Sequence, residues 1–184
     1  MQQQVMDPIV WVDMEMTGLD IENDHILEIA VIITDGQLNT IAEMDSLVIH
    51  QEDSILNSMN DWCKEHHGQS GLTQRVRESQ LSVQQVEQQV LEFVKKYVDK
   101  PRWAPLGGNS VYMDRLFMKK EMKSLDEYLH YRIIDVSTVK ELARRWVPQV
   151  FDKVVKKQAH RALDDIKESI DELKLYRKHL FNLE

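Results

Sequence analysis

The sequence contains a single cysteine, Cys63, and this scarcity excludes two kinds of site. One cysteine cannot form an intrachain disulfide, and it cannot supply a zinc site built from several cysteines. The chain also lacks an apolar run long enough to span a bilayer, an internal repeat, and a long linker rich in glycine and serine. The sequence therefore predicts one globular domain over residues 1–184, with no segment in a membrane.

An excess of positive charge is also missing. The chain has 31 acidic residues against 23 lysines and arginines, and its formal net charge is −8. This balance argues against a protein that holds long nucleic acid through many phosphates, but it is compatible with very short oligomers. A small basic set is either a solvated surface or a substrate contact. Its members are Arg144, Arg145, Lys153, Lys156, Lys157 and Arg161.

Strand-like and helix-like apolar patterns alternate along the chain. Strands are predicted at residues 9–16, 26–34, 41–50, 103–107 and 132–136. Helices are predicted at residues 54–66, from Ser82 to Pro101, and at 111–122, 125–130, 137–146 and 160–179, with a basic loop at 149–158. Three successive strands followed by alternating helices and strands predict an α/β fold. Its mixed central sheet is flanked by helices, as in the RNase H-like fold.

Acidic residues in three short motifs predict a metal site. Asp13 and Glu15 are two residues apart on an apolar strand, so their side chains share one face. Unpaired acids are costly to bury there, and metal coordination removes that cost, whereas a solvated strand end is the alternative. Asp114 begins a predicted helix, where an acid also complements the helix dipole. Asp165 closes a motif that begins with His160, a residue suited to accept a proton from water.

Aromatic and basic residues supply candidate contacts to a substrate. Trp62 ends a helical pattern and is either a platform for a nucleic-acid base or part of the core. Tyr131 and Arg132 precede a predicted strand, where they either reach a phosphate or pack in a loop.

Taken together, these motifs resemble those of the DEDDh branch of the DnaQ-like 3′-to-5′ exonucleases, and within it the oligoribonucleases. The resemblance rests on Asp-x-Glu, a later Asp, and His-x-Ala-x-x-Asp in this order. It extends over nearly the whole chain, through the segments 11–20, 61–67, 108–110, 130–142 and 160–165.

The resemblance implies an RNase H-like homodimer that uses two Mg²⁺ or Mn²⁺ ions and releases nucleoside 5′-monophosphates from very short RNA, down to dinucleotides. It implies a cytoplasmic or mitochondrial protein, from which a transit peptide can be missing. The implied metal ligands are Asp13, Glu15, Asp114 and Asp165, and His160 is the implied base.

The resemblance also implies how the substrate is held. Leu19 and Trp62 would wedge and stack the bases. A terminal 5′-phosphate would be held by a polar set in which the tyrosine comes from the partner subunit. The members of that set are His67, Ser110, Tyr131 and Arg132. Two other functions stay open from the residues themselves: a nuclease-like fold that only binds nucleotides or protein, and a general DNA exonuclease.

Overall fold

A computed structural model describes residues 6–154 and 162–181 of the chain. Within these residues there are five strands and nine helices. The strands are β1 Ile9–Met16, β2 Ile26–Thr34, β3 Thr40–Val48, β4 Leu106–Gly108 and β5 Ile133–Asp135. The helices are α1 Asp53–Ser58, α2 Asp61–Gln69, α3 Leu72–Glu78, α4 Val83–Tyr97, α5 Tyr112–Glu121, α6 Lys123–Tyr128, α7 Val136–Trp146, α8 Pro148–Phe151 and α9 Ala162–Leu180.

The strands form one mixed sheet in the order β3-β2-β1-β4-β5. β1, β2 and β3 pair antiparallel, whereas β4 pairs parallel with both β1 and β5. β2 is buried along its whole length, as expected for a strand whose two faces are both covered. The predicted antiparallel meander and mixed α/β sheet are therefore confirmed.

The two faces of β1 separate its apolar residues from its acids. Val10 and Val12 pack with residues of α4, α5 and α6. Trp11 points to the opposite face and packs with residues of α7, α8 and α9. Because side chains alternate along a strand, Asp13 and Glu15 continue the row of Trp11 and face the side of α9. The acids thus emerge where β1 leaves the core.

The helix predicted at 54–66 is wrong in its extent, because two helices with a break between them occupy this region. α1 ends at Ser58, and the side chain of Asn60 caps α2 by accepting a hydrogen bond from the amide of Cys63 at 2.9 Å. The apolar residues Leu56, Met59 and Cys63 keep helical spacing across the break and belong to one buried cluster. Their spacing therefore predicted one continuous helix where there are two.

Several other boundaries differ from the prediction. Helix α3 was not predicted, since its buried residues are only Leu72 and Val76, too few for a clear period. The capping box of Ser82 and Gln85 at the start of α4 is confirmed, but this helix ends at Tyr97, before Pro101. Part of the segment expected to be a basic loop forms the short helix α8, and its remainder from residue 155 lies outside the described residues.

Candidate active site

Three carboxylates meet at the end of β1. One oxygen from each of Asp13, Glu15 and Asp165 lies within 4.8 Å of the others. Asp165 comes from the first turn of α9, which packs against the same face of the sheet. Burial raises the pKa of Asp13 well above its ordinary value, and the neighbouring negative charges raise it further. Carboxylates this close require a proton or a cation between them, so the donor set fits a hard divalent ion.

Asp114 lies beside this group and is tied to β1. Its Oδ1 accepts a hydrogen bond from the amide of Met14 at 2.9 Å, between the two acids of the strand. Burial raises the pKa of Asp114 to about 7. Among the neighbouring charges, that of Asp114 has the largest effect on the pKa of Asp13. Asp114 is therefore part of the acidic site and does more than complement a helix dipole.

His160 of the predicted site and Arg161 of the small basic set lie outside the described residues. The helix that follows them is described from Ala162, and its Asp165 is one of the three clustered carboxylates. Asp164, its neighbour in sequence, lines a separate cavity together with Glu28 and Arg75. The two adjacent aspartates thus face different surroundings.

A cavity of about 450 Å³ opens beside Glu15. Leu19 and Trp62 line it, and each side chain is 67% exposed. The indole of Trp62 stacks on the ring of His66, with ring centroids 4.7 Å apart and planes inclined by 11°. Such exposure contradicts a place for Trp62 in the core and leaves its ring available for stacking.

His67 forms the buried wall of this cavity. Its Nε2 lies 2.9 Å from the carbonyl oxygen of Met16, and because that oxygen can only accept, Nε2 carries a proton. Its Nδ1 lies 3.9 Å from Oε2 of Glu15, and burial lowers the pKa of His67. The structure therefore places His67 with Leu19 and Trp62, whereas the family resemblance grouped it with Ser110.

Ser110 lies just after β4, against the junction of β5 and α7. Its backbone, with φ of 53°, donates to Oδ1 of Asp135 at 2.9 Å and to Oγ of Ser137 at 2.6 Å. Asn109 extends this polar network by donating to Oγ of Ser169 at 2.8 Å. Ser137 was not among the predicted site residues. Its position in the first turn of a helix capped by Asp135 was the available signal, because polar side chains at a helix start commonly form hydrogen bonds.

Tyr131 and Arg132 project outward from the turn before β5. Tyr131 is 75% exposed, which contradicts a packed loop residue. Its ring stacks on that of His130, and the guanidinium carbon of Arg132 lies 5.4 Å from the ring centroid. Both side chains are thus available to a ligand or to a second chain.

A buried acid behind Glu15 was missed in the sequence. Glu28 pairs directly opposite Glu15 in the sheet, and its charge raises the pKa of Glu15 to about 7 in addition to the larger effect of burial. Arg75 donates to both carboxylate oxygens of Glu28, at 2.7 and 3.2 Å. The hydroxyl of Ser46 donates to Oε1 of Glu28 at 2.6 Å. A charged residue within the apolar run of β2 was the available signal, because such a residue needs a buried partner.

Known proteins share both this sequence and this fold. The sequence profile of RNase_T exonucleases matches residues 10–173. The chain belongs to this exonuclease family. It is 56% identical over 174 residues to the protein named mitochondrial oligoribonuclease of Homo sapiens, covering 94% of this chain and 73% of that protein. It is 54% identical over 177 residues to the oligoribonuclease of Marinobacter nauticus, covering 96% of this chain and 98% of that protein.

Solved structures agree on the fold. A zinc-bound complex of E. coli exonuclease I with single-stranded DNA superimposes with a TM-score of 0.74 at 16% identity, covering 98% of this chain and 42% of that chain. A product-bound exonuclease I gives a TM-score of 0.72, and this chain covers 45% of it. The chain thus spans less than half of these exonuclease chains, and the likeness concerns the fold alone.

The comparisons confirm the predicted RNase H-like fold, the resemblance to oligoribonucleases, and the prediction of a 3′-to-5′ exoribonuclease. Use of a divalent metal follows from the family and from the carboxylate group. In the described part of the chain, none of the helices combines the length and the apolar character needed to cross a membrane.

Proposed function

We propose that this chain removes nucleoside 5′-monophosphates from the 3′ end of very short RNA, down to dinucleotides. One observation carries the proposal. The cluster of three carboxylates lies directly beside the cavity that Leu19 and Trp62 line, and Glu15 belongs to both. In this proposal, hydrolysis would take place next to a stacking platform with room for few bases. The names of the relatives support short RNA as the substrate.

We propose that two Mg²⁺ or Mn²⁺ ions bind at the acidic site, held by Asp13, Glu15, Asp114 and Asp165. When bound, such ions neutralise the scissile phosphate and lower the pKa of the attacking water. Asp13 would serve both ions, since its carboxylate lies close to those of Glu15 and Asp165. His160 is the proposed base toward the attacking water, on the strength of its motif.

The substrate would lie between two ends of the site. Leu19 and Trp62 would hold the bases, with His67 as the buried wall behind them. The terminal 5′-phosphate would bind near Ser110 and Arg132, and we propose that a homodimer brings Tyr131 from the partner subunit. The outward projection of Tyr131 and Arg132 supports this arrangement.

We further propose that residues 1–184 form a single exonuclease domain, since the described strands share one sheet. A mitochondrial or cytoplasmic location is proposed, because the relatives include proteins named mitochondrial and bacterial proteins.

The deciding experiment compares a 5′-labelled diribonucleotide with a twenty-nucleotide RNA carrying the same label, each with Mg²⁺, with Mn²⁺ and with a chelator. We expect metal-dependent cleavage that is much faster on the diribonucleotide. Equal or faster cleavage of the long RNA would indicate a general exonuclease, and a matched DNA dinucleotide tests the sugar preference. Lack of cleavage of every substrate would favour a nucleotide-binding protein.

Trp62→Ala is expected to raise KM for the diribonucleotide about 5- to 100-fold, because stacking of one base is worth about 1–3 kcal/mol. Trp62→Phe should recover most of the loss. Trp146→Ala is the matched control, since Trp146 is 72% exposed on α7. Steady-state kinetics that show equal effects of the Trp62→Ala and Trp146→Ala variants would contradict the stacking role.

His160→Ala is expected to lower kcat by about 10²- to 10⁴-fold, the contribution of a general base. Its thermal stabilisation by Mn²⁺ should remain that of the parent protein, because the carboxylates are intact. His179→Ala serves as control, since His179 is an exposed residue in the last turn of α9. Turnover of the His160→Ala protein at the parent rate would remove this histidine from the mechanism.

A further inference from the structure

We propose that Arg115 is a positioning residue that sets the preference for very short substrates. It would do so by fixing the segment His130–Tyr131–Arg132, so that Arg132 is set relative to the acidic site of its own chain and Tyr131 is presented to the site of the partner subunit. This inference rests on the proposed function, since it concerns the phosphate end of the same substrate site. Arg115 is buried, with 7% of its surface exposed, and it follows Asp114 directly in α5.

The guanidinium of Arg115 contacts the chain just before β5 through three of its nitrogen atoms. Its Nη1 donates to the carbonyl oxygen of His130 at 2.9 Å. Its Nη2 donates to the carbonyl oxygen of Asp126 at 3.4 Å, and its Nε pairs with the carboxylate of the same residue. Burying a charge carries a desolvation cost. The planar guanidinium of arginine offsets this cost by donating to several acceptors at once.

The contact to His130 fixes the base of the outward-facing segment. The amide of His130 donates to the carbonyl oxygen of Ala104, so this residue is held on both sides of its peptide. The amide of Arg132 then donates to Nδ1 of His130 at 3.0 Å. The positions of Tyr131 and Arg132 are thus set by a backbone that Arg115 anchors.

The same helix anchors the chemistry. Consecutive helical residues point about 100° apart, so α5 directs Asp114 toward β1 and Arg115 toward the turn before β5. The position of Arg132 relative to the carboxylates of the same chain is therefore set through one rigid helical turn. A substrate that must satisfy both ends at once has to match this spacing.

The expected consequence is specific to substrates that engage both ends. Arg115→Lys and Arg115→Met should raise KM for a 5′-phosphorylated diribonucleotide about 10- to 100-fold, the range expected when a binding group is displaced. A nitrophenyl ester of thymidine 5′-monophosphate, which lacks a second nucleotide, should be hydrolysed at the parent rate. The preference for the diribonucleotide over a twenty-nucleotide RNA should fall accordingly.

The experiment measures kcat and KM on all three substrates for the parent and both variants. Arg77→Lys is the matched control, since it alters an exposed arginine–aspartate pair between α3 and α1. Arg115→Lys keeps the charge and carries the test if the Met variant fails to fold, which thermal unfolding reveals.

Selective loss on the diribonucleotide supports the inference. A parallel loss on the nitrophenyl ester would show that Arg115 only maintains the fold, and unchanged KM in both variants would also overturn the inference. A parent protein without preference for the diribonucleotide would instead contradict the proposed function, and with it the premise of this inference.

Discussion

Asp13→Asn is expected to lower turnover by at least about 10³-fold, which corresponds to about 4 kcal/mol of transition-state stabilisation. Asp13 lies close to Glu15 and Asp165, and the charges of Asp114, Glu15 and Asp165 all raise its pKa. Removing its charge would withdraw a donor from the proposed metal site. Asparagine keeps the size of the side chain, so the loss reports on charge and coordination.

The same substitution should stabilise the metal-free protein, because it relieves repulsion among buried carboxylates. We therefore expect a higher Tm in chelator and a smaller rise in Tm on addition of Mg²⁺ or Mn²⁺. Asp164→Asn is the control, since Asp164 adjoins Asp165 in sequence but lines a different cavity. An Asp13→Asn protein with parental turnover would overturn the assignment of this acid to the metal site.

The stability of the metal-free protein is expected to fall as pH rises from about 4.5 to about 7. The pKa values of Glu15 and Asp114 are both raised to about 7 from ordinary values of 4.5 and 3.8. The folded state therefore binds protons more tightly than the unfolded state. The stabilisation is fully present below the unfolded pKa values and is lost as each folded pKa is passed.

The size of this effect follows from the shifts. A change from 4.5 to about 7 corresponds to about 3 kcal/mol for Glu15, and the contribution of Asp114 is of similar size. The lowered pKa of His67 acts in the opposite direction, but it is one group against the raised acids. Asp20 and Asp35 have lowered pKa values and lose their protons below this range.

Urea unfolding at several pH values, in chelator and with Mg²⁺, measures this dependence. Divalent ions should reverse the slope, since they bind the deprotonated carboxylates. The Glu15→Gln variant should show a shallower fall in chelator than the parent. A metal-free parent protein whose stability rises steadily from pH 5 to pH 8 would contradict the raised pKa values.

Local patterns were sufficient to predict the central features of this site. The pair Asp13 and Glu15 follows from strand alternation, and the apolar flanks place them at the end of a buried strand. The mixed sheet follows from the order of strand and helix patterns. These features depend on residues that are close together in the sequence, and the periodic spacing of apolar residues predicts them.

Contacts between distant segments could not be predicted in this way. The pair Glu28 and Arg75 joins β2 to α3, a helix that was not predicted at all. His67 lies beside Glu15 on α2, a helix that begins after the break that follows Ser58. In both cases, side chains far apart in sequence meet because the elements that carry them pack together. Such packing produces no periodic pattern in the sequence.

Strand β3 forms one edge of the sheet, where its backbone is open to pairing with another chain. Glu43 and Asp45 stand exposed along this edge, and Glu43 is joined to Lys167 at 2.8 Å. A strand from a second copy added here would bring carboxylates against carboxylates, which opposes the pairing. We therefore expect these carboxylates to disfavour self-association through this edge near neutral pH. This effect weakens in acid, where the carboxylates are neutralised.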